Sequence, residues 1–218
     1  MRFRRFSTFL FVALMALVLA NTASANSVTM TYVGHQGATA IDGSPLIGYP
    51  YYFSINGSKN YTPLMCDSYD NNIFLGETFK ATVSPFLQGI ATSMFGSSMA
   101  MDYRAAGLIF KSMLAGTLDR AQAQWAIWGL FSSNAQADSF FTTIHGASID
   151  ATYLALAQTA PNSAYSGLVL YTPVGAKPGM GPQEFIGFSP VPEPTSLTLM
   201  GTGLVMLGGA LRRKFAKA

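Results

Sequence analysis

The sequence predicts an α+β protein, a β-rich sandwich or barrel interrupted by a helical insertion. Three observations point there. From Ser27 to Phe86, short runs rich in Thr, Tyr, Val and Phe alternate in polarity, and Asn56-Gly57 sits between two of them as a hairpin signal. Between Met101 and Ala160 the apolar residues recur at helical spacing. At "SGLVLYT" and "EFIGF" the strand pattern returns. This body, residues 26–188, is expected to follow an N-terminal signal peptide and to precede a single C-terminal transmembrane helix.

The chain opens "MRFRRFSTFLFVALMALVLANTASAN". Arg2, Arg4 and Arg5 make a basic front, Phe9 to Ala20 an apolar run, and Ala23-Ser-Ala25 a small-residue cleavage signal. That three-part pattern predicts a secretory signal peptide over residues 1–25, cut after Ala25.

Elements of the body follow in order. "SVTMTYV" alternates as a strand, "YPYYFSI" is aromatic and β-branched, and "YTPLMC" is the return strand of the Asn56-Gly57 hairpin. Alternation puts Leu64 and Cys66 on one face, with Tyr61, Pro63 and Met65 on the other. "ETFKATV", Glu77 to Val83, is a further strand, and "FGSSMA" links it to the helices. The first helix, in "MDYRAAGLIFKSMLAG", aligns Ala105, Leu108, Ile109, Ser112 and Met113. Gly116 and Thr117 interrupt it; Asp119 as N-cap, with Gln122 three residues on, restarts a helix at "DRAQAQWAIWGLF". "SIDATYLALAQTA" forms another before Pro161.

The C-terminal region, residues 189–218, reads in three parts. Val191-Pro192-Glu193-Pro194 is followed by an uncharged stretch over residues 195–211, at the short end of what spans a bilayer. A basic tail over residues 212–218 begins Arg212, Arg213, Lys214. Positive charge directly after an apolar helix predicts a cytoplasmic stop, leaving the body outside. Pro-Glu-Pro, then apolar helix, then Arg-rich terminus resembles the PEP-CTERM sorting signal of Gram-negative bacteria. That resemblance implies processing by an exosortase, an integral-membrane cysteine transpeptidase. It also implies export by the secretion machinery and a precursor anchored in the inner membrane with its N-terminal domain outside, then a cell-surface or extracellular protein. The two prolines suit the motif to a protease, because they keep the backbone extended and readable.

Charge is informative once the ends are set aside. The whole chain carries +3 with a pI near 9.0. Between Asn26 and Pro190, however, six basic residues (Lys59, Lys80, Arg104, Lys111, Arg120, Lys177) face nine acidic ones (Asp42, Asp67, Asp70, Glu77, Asp102, Asp119, Asp138, Asp150, Glu184), a net −3. The exported body therefore has no electrostatic footprint for nucleic acid. Motifs for phosphate binding, zinc proteolysis, paired-cysteine redox chemistry and serine hydrolysis are absent. His35 and His145 stand apart from other ligand types, and Asp67, Asp70, Asn71 and Asn72 miss the spacing of a calcium loop, which leaves a solvated turn as their expected role. No metal, cofactor or enzymatic turnover is expected.

The remaining chemistry rests on Cys66, the single cysteine of an exported chain. A cysteine late on an early strand, a helical middle, then Gln124 leading to Ile127 and Trp128 resembles the thioester domains of bacterial surface adhesins, from Met65 to Trp128. In that family the glutamine side chain acylates the cysteine sulfur with loss of ammonia. The resemblance implies a Cys66–Gln124 bond, shielded from water by Trp125, Ile127 and Trp128. It further implies an amine-bearing surface ligand or exopolysaccharide as partner. Gln122 is the neighbouring alternative, but its capping position gives it a local role. Against this stands a non-catalytic structural or matrix protein in which Cys66 is a small buried hydrophobe.

Overall fold

A computed structural model describes residues 26–35 and 49–189. The expected signal peptide, the Val191–Pro194 motif, the 195–211 helix and the Arg212-Arg213-Lys214 stop lie outside the described residues. Among the described residues no helix is long and apolar enough to cross a membrane.

The strands close into a six-stranded barrel, which resolves the sandwich-or-barrel expectation. They are β1 (Asn26–His35), β2 (Tyr51–Ile55), β3 (Thr62–Cys66), β4 (Thr78–Pro85), β5 (Leu168–Pro173) and β6 (Phe185–Phe188). The order around the barrel is β1-β2-β3-β6-β5-β4, and every neighbouring pair is antiparallel. Closure leaves no edge strand among the described residues. The hairpin between β2 and β3 turns at Asn56 and Gly57, whose φ values of 52° and 76° are the left-handed pair a type I′ turn needs. Asn56 Oδ1 also accepts from the Thr29 amide at 2.9 Å, tying that turn to β1.

Alternation along the strands creates two cores. Inside the barrel lie Met30, Tyr32, Tyr51, Phe53, Leu64 and Phe185, with Cys66 among them. On the outer face of β3, β5 and β6, Met65, Leu168, Leu170 and Ile186 pack instead against the helices. The face expected for Leu64 and Cys66, opposite Met65, is the face observed.

Among the described residues the helices all fall between β4 and β5: α1 (Phe86–Gly89), α2 (Ala100–Leu114), α3 (Arg120–Phe131), α4 (Ser133–Ala137), α5 (Ser139–Thr143) and α6 (Gly146–Thr159). The linker "FGSSMA" holds a short 3-10 turn, Ser97–Met99. Asp119 caps α3 as expected, its Oδ1 accepting from Ala121 N at 2.7 Å and Gln122 N at 3.4 Å. The buried side of α2 is wider than its pattern indicates: Tyr103, Ala106 and Phe110 are buried beside Ala105, Ile109 and Met113, while Leu108 and Ser112 are half-exposed. Arg104 joins α2 to the end of α6, its Nε and Nη2 donating to the carbonyls of Ala157 and Ala160 at 3.1 and 2.6 Å. Those carbonyls lack intrahelical partners, so the guanidinium satisfies them. The sequence pattern left α4 and α5 undetected, because five-residue helices are too short to show a period.

Barrel packing makes a sharp demand at Gly187. A Cβ there would overlap Leu64 Cδ2 and meet Tyr171 Cε2 at 3.2 Å. Gly187→Ala should therefore cost about 1–3 kcal/mol by overpacking, read as a lower denaturant midpoint at unchanged slope. A midpoint equal to the parent's would show that the barrel interior can yield at this point.

Candidate functional site

Cys66 ends β3 at the mouth of the barrel, fully buried and unpaired with another cysteine. Over it lies α3, a helix buried on nearly every side because it separates the two cores. Its tryptophans turn toward the barrel: Trp125 and Trp128 share a cluster with Cys66, and their rings meet edge-on at 5.3 Å. Tyr69 closes against both at 5.7 and 5.2 Å. The indole N–H of Trp128 donates to Cys66 Sγ at 3.4 Å, and the thiol donates to the Ser68 carbonyl at 3.7 Å.

Gln124 is also fully buried, one turn before Trp128. Its Nε2 donates to the backbone carbonyl of Cys66 at 2.6 Å, while its Oε1 is buried with no hydrogen-bond partner. Residues 58 positions apart are thus brought into direct contact. Ile127 is placed elsewhere. It faces the second core with Met65 and Leu130, so it does not belong to the shell around Cys66. Gln122 sits half-buried in the first turn of α3, outside this contact.

Sequence reasoning missed the polar half of the site. Asp67 is fully buried and Asn71 nearly so, which corrects the expectation of a solvated turn for these two, while Asp70 and Asn72 are exposed as expected. For Asn71 the reason is its side chain: its Nδ2 donates to the Lys177 and Gly181 carbonyls at 2.9 and 3.0 Å, and its Oδ1 accepts from Gly179 N at 3.0 Å. That side chain bolts the β3–β4 loop onto the β5–β6 loop. Next to Asp67 lies Glu184, also fully buried. Glu184 accepts from the Tyr103 hydroxyl, the Thr172 hydroxyl and Met94 N, the last at 2.9 Å. Its own backbone amide donates to Ser68 Oγ at 2.8 Å, and its carbonyl accepts from Asp67 N at 3.2 Å. The one available signal was an acidic residue opening the apolar strand "EFIGF".

Electrostatics follow from burial. Burial first, then the charge and hydrogen bond of Glu184, holds the Asp67 carboxyl far above the usual carboxylate range. Glu184 is raised by burial too, but its donors pull the other way. Both carboxyls are thus shifted toward the neutral form, Asp67 the further. Burial, and behind it the Asp67 carboxylate, pushes the Cys66 thiol up to about 12. A group held in this way is not a free thiolate nucleophile at neutral pH.

Residues 190–214 match the PEP-CTERM protein-sorting motif, so the expected sorting region is found at the expected place. The motif makes this an exported chain with an exosortase as its processing partner. No curated protein and no solved structure matches the chain.

Glu184 is the test of how much the polar half contributes. Glu184→Ala strands the Tyr103 and Thr172 hydroxyls and the Met94 amide in a buried setting, and should cost about 3–5 kcal/mol. For Asp67 the sign differs. Its folded pKa is raised, so its contribution favours the fold at acid pH and is lost as pH rises above the ordinary carboxylate range. Asp67→Asn should flatten the fall in stability from about pH 4 to pH 7, measured by urea unfolding across that range. An unchanged slope would mean that Asp67 is ionised in the fold.

Proposed function

We propose that this chain is an exported surface protein, sorted by an exosortase, whose barrel domain carries an internal thioester between Cys66 Sγ and the Gln124 side-chain carbonyl carbon. One observation carries the reading: the amide of Gln124 lies against Cys66 in a site from which water is excluded, with its oxygen unpartnered. A buried amide oxygen without a partner costs free energy, and conversion of the amide to a thioester replaces that group with a weaker acceptor. The tryptophan shell supports the reading as well. A thioester is an activated acyl group that must be kept from water until a stronger nucleophile arrives, and Trp125 and Trp128 cover the sulfur. The partner is an amine on a surface ligand or an exopolysaccharide. Attack by that amine leaves an amide at Gln124 and a free thiol at Cys66. The event is a single covalent capture, without turnover, so the protein is an adhesin and not an enzyme.

Intact mass decides between this and a matrix protein in which Cys66 only packs. The folded chain should weigh one ammonia less than its sequence and take up one methylamine at Gln124, releasing a titratable Cys66 thiol. Cys66→Ala and Gln124→Ala should each abolish uptake. A full-stoichiometry thiol at the unmodified mass, with no amine uptake, refutes the thioester and leaves Cys66 as a packing residue.

Sorting is tested separately. Glu193→Ala leaves the apolar segment and the basic tail intact but removes the charge between the two prolines. The variant should accumulate as uncut precursor in a strain with an active exosortase, seen as a slower band on a denaturing gel. Processing at the normal rate would remove Glu193 from the recognition element.

A further inference from the structure

We propose that the cleft between α2, α3 and α6 binds a small hydroxylated primary amine, whose ammonium group pairs with the Asp150 carboxylate. The site is separate from the Cys66–Gln124 contact, and the inference holds whether or not that pair forms a thioester.

The cleft follows from how the helices pack. α6 lies against both α2 and α3, and Arg104 fixes its far end to α2. Toward the start of α6 a cavity of about 730 Å³ stays open. Asp102 lines it from α2, Gly129 and Leu130 from α3, and Gly146, Ala147 and Ser148 from α6. Behind this wall the packing is tight. A Cβ at Gly129 or at Gly146 would overlap the Phe141 ring, so the cavity is bounded by a filled core.

Asp150, which also lines the cavity, is the group that packing leaves unexplained. It is 7% exposed, and its Oδ1 is buried without a hydrogen-bond partner. The side chain reaches from α6 across to the backbone of α3, since a Cβ on Gly129 would stand 2.8 Å from Asp150 Oδ2. A carboxyl taken out of water without donors is costly, and native folds keep such a group where something else supplies them. The titratable groups facing it along the cavity are Asp102 on α2 and His145 in the turn before α6. From α3, α4 and α5 the lining side chains are uncharged. Burial, and behind it the charge of Asp102, pushes the Asp150 carboxyl up to about 8. Two acids with no lysine or arginine along the wall leave the cavity short of a cation.

An organic ammonium fits that need better than a metal ion. Among the described residues no three acidic, histidine or cysteine side chains converge as metal ligands, and the volume is that of a small-molecule site. The rest of the wall is polar without being charged. Thr142 and Ser148 bring hydroxyls, and the first amides of α6 have no partner within the helix, so ligand oxygens find donors there. Ala147, Ala151 and Leu154 face the carbon skeleton between. The ligand is thus an amine at one end and an alcohol over the rest. Because an ammonium favours the ionised carboxyl, its binding drives the proton off Asp150. Affinity therefore falls as pH drops below the Asp150 pKa.

The test is calorimetric titration of the full chain in detergent with glucamine, a linear hydroxylated primary amine that stays protonated through about pH 8. Cys66→Ala is present throughout, so that acyl transfer cannot contribute. One glucamine should bind reversibly per chain, and from about pH 5 to about pH 7 its affinity should rise about tenfold per pH unit. Binding should release a proton, seen as a heat that changes with the buffer. Glucitol, with a hydroxyl in place of the amine, should not bind, and hexylamine, without hydroxyls, should bind more weakly than glucamine. Asp150→Asn keeps the shape and removes the buried charge. It should weaken glucamine binding about tenfold or more, on the scale of a charge-assisted hydrogen bond, and end the proton release. If that variant does not fold, Asp102→Asn decides: with less negative charge facing it, Asp150 ionises more readily, and the rise in affinity should level off at lower pH. No binding of glucamine, equal or tighter binding of glucitol or hexylamine, an unchanged affinity in Asp150→Asn, or an unmoved profile in Asp102→Asn overturns the proposal. None of these results bears on the thioester, which amine uptake by the chain with Cys66 intact tests by itself.

Discussion

The ionisable carboxylate of Glu184, fully buried at the start of β6, is the constraint around which the fold is arranged. A charge taken out of water is tolerated only where donors surround it. Here they come from α2 through Tyr103, from β5 through Thr172, and from the connection before α2 through the Met94 amide. Its own backbone reaches back to Ser68 and Asp67 after β3. One side chain thereby sets how the helical insertion sits on the barrel wall. Hydrophobic burial between the helices and the outer faces of Met65, Leu170 and Ile186 supplies the larger stabilisation, but it is not directional. The carboxylate supplies direction.

The second constraint is the unusual position of α3. A helix between two cores cannot be amphipathic in the ordinary sense, and α3 has apolar residues all round. Its two apolar sides still differ. Ala123, Ala126, Ile127 and Leu130 face the helical core, whereas Trp125 and Trp128 cover the barrel mouth. Gly129 lets the neighbouring segment approach: a Cβ there would meet Phe141 Cζ at 2.7 Å and Asp150 Oδ2 at 2.8 Å. The short helices α4 and α5 bring Phe140 and Phe141 to that side, and Phe140 lies 5.2 Å from Trp125. They form the outer layer of the cover over Cys66.

How legible this was in the sequence depends on the kind of signal. The strands were marked by alternation or by aromatic and β-branched runs and α2 by its apolar spacing, while the Asn56-Gly57 turn and the Asp119 cap of α3 are local chemistry that tertiary contacts did not override. The contact of the Gln124 amide with the Cys66 carbonyl was not legible in the pattern of either segment, since nothing in one points to the other. Ile127 was misassigned because the sequence cannot tell which of two apolar sides of a buried helix faces a given residue. The polar half of the site was invisible for a different reason. An aspartate in a run of Asp, Tyr and Asn reads as solvated, and its burial goes with contacts more than a hundred residues away that no local pattern carries, those of Asn71 with the 177–181 loop and of the Asp67 amide with the Glu184 carbonyl.

Topology adds an argument about orientation. Strand direction alternates strictly around the barrel, so β1 and β3 run one way while β4 and β6 run the other. Asn26, where β1 begins, and Phe188, where β6 finishes, therefore share one end of the barrel. Cys66, at the finish of β3, stands at the other end, with Asp67 and the β5–β6 loop. The sorting motif starts at residue 190, directly beyond the last described position. The chain thus leaves for its sorting segment at the end remote from the buried cysteine. For a domain that only filled space, the placement would have no consequence. For one that must present an activated acyl group to an external amine, it points the reactive end away from the segment by which the precursor is processed, so that capture and sorting do not compete for the same face.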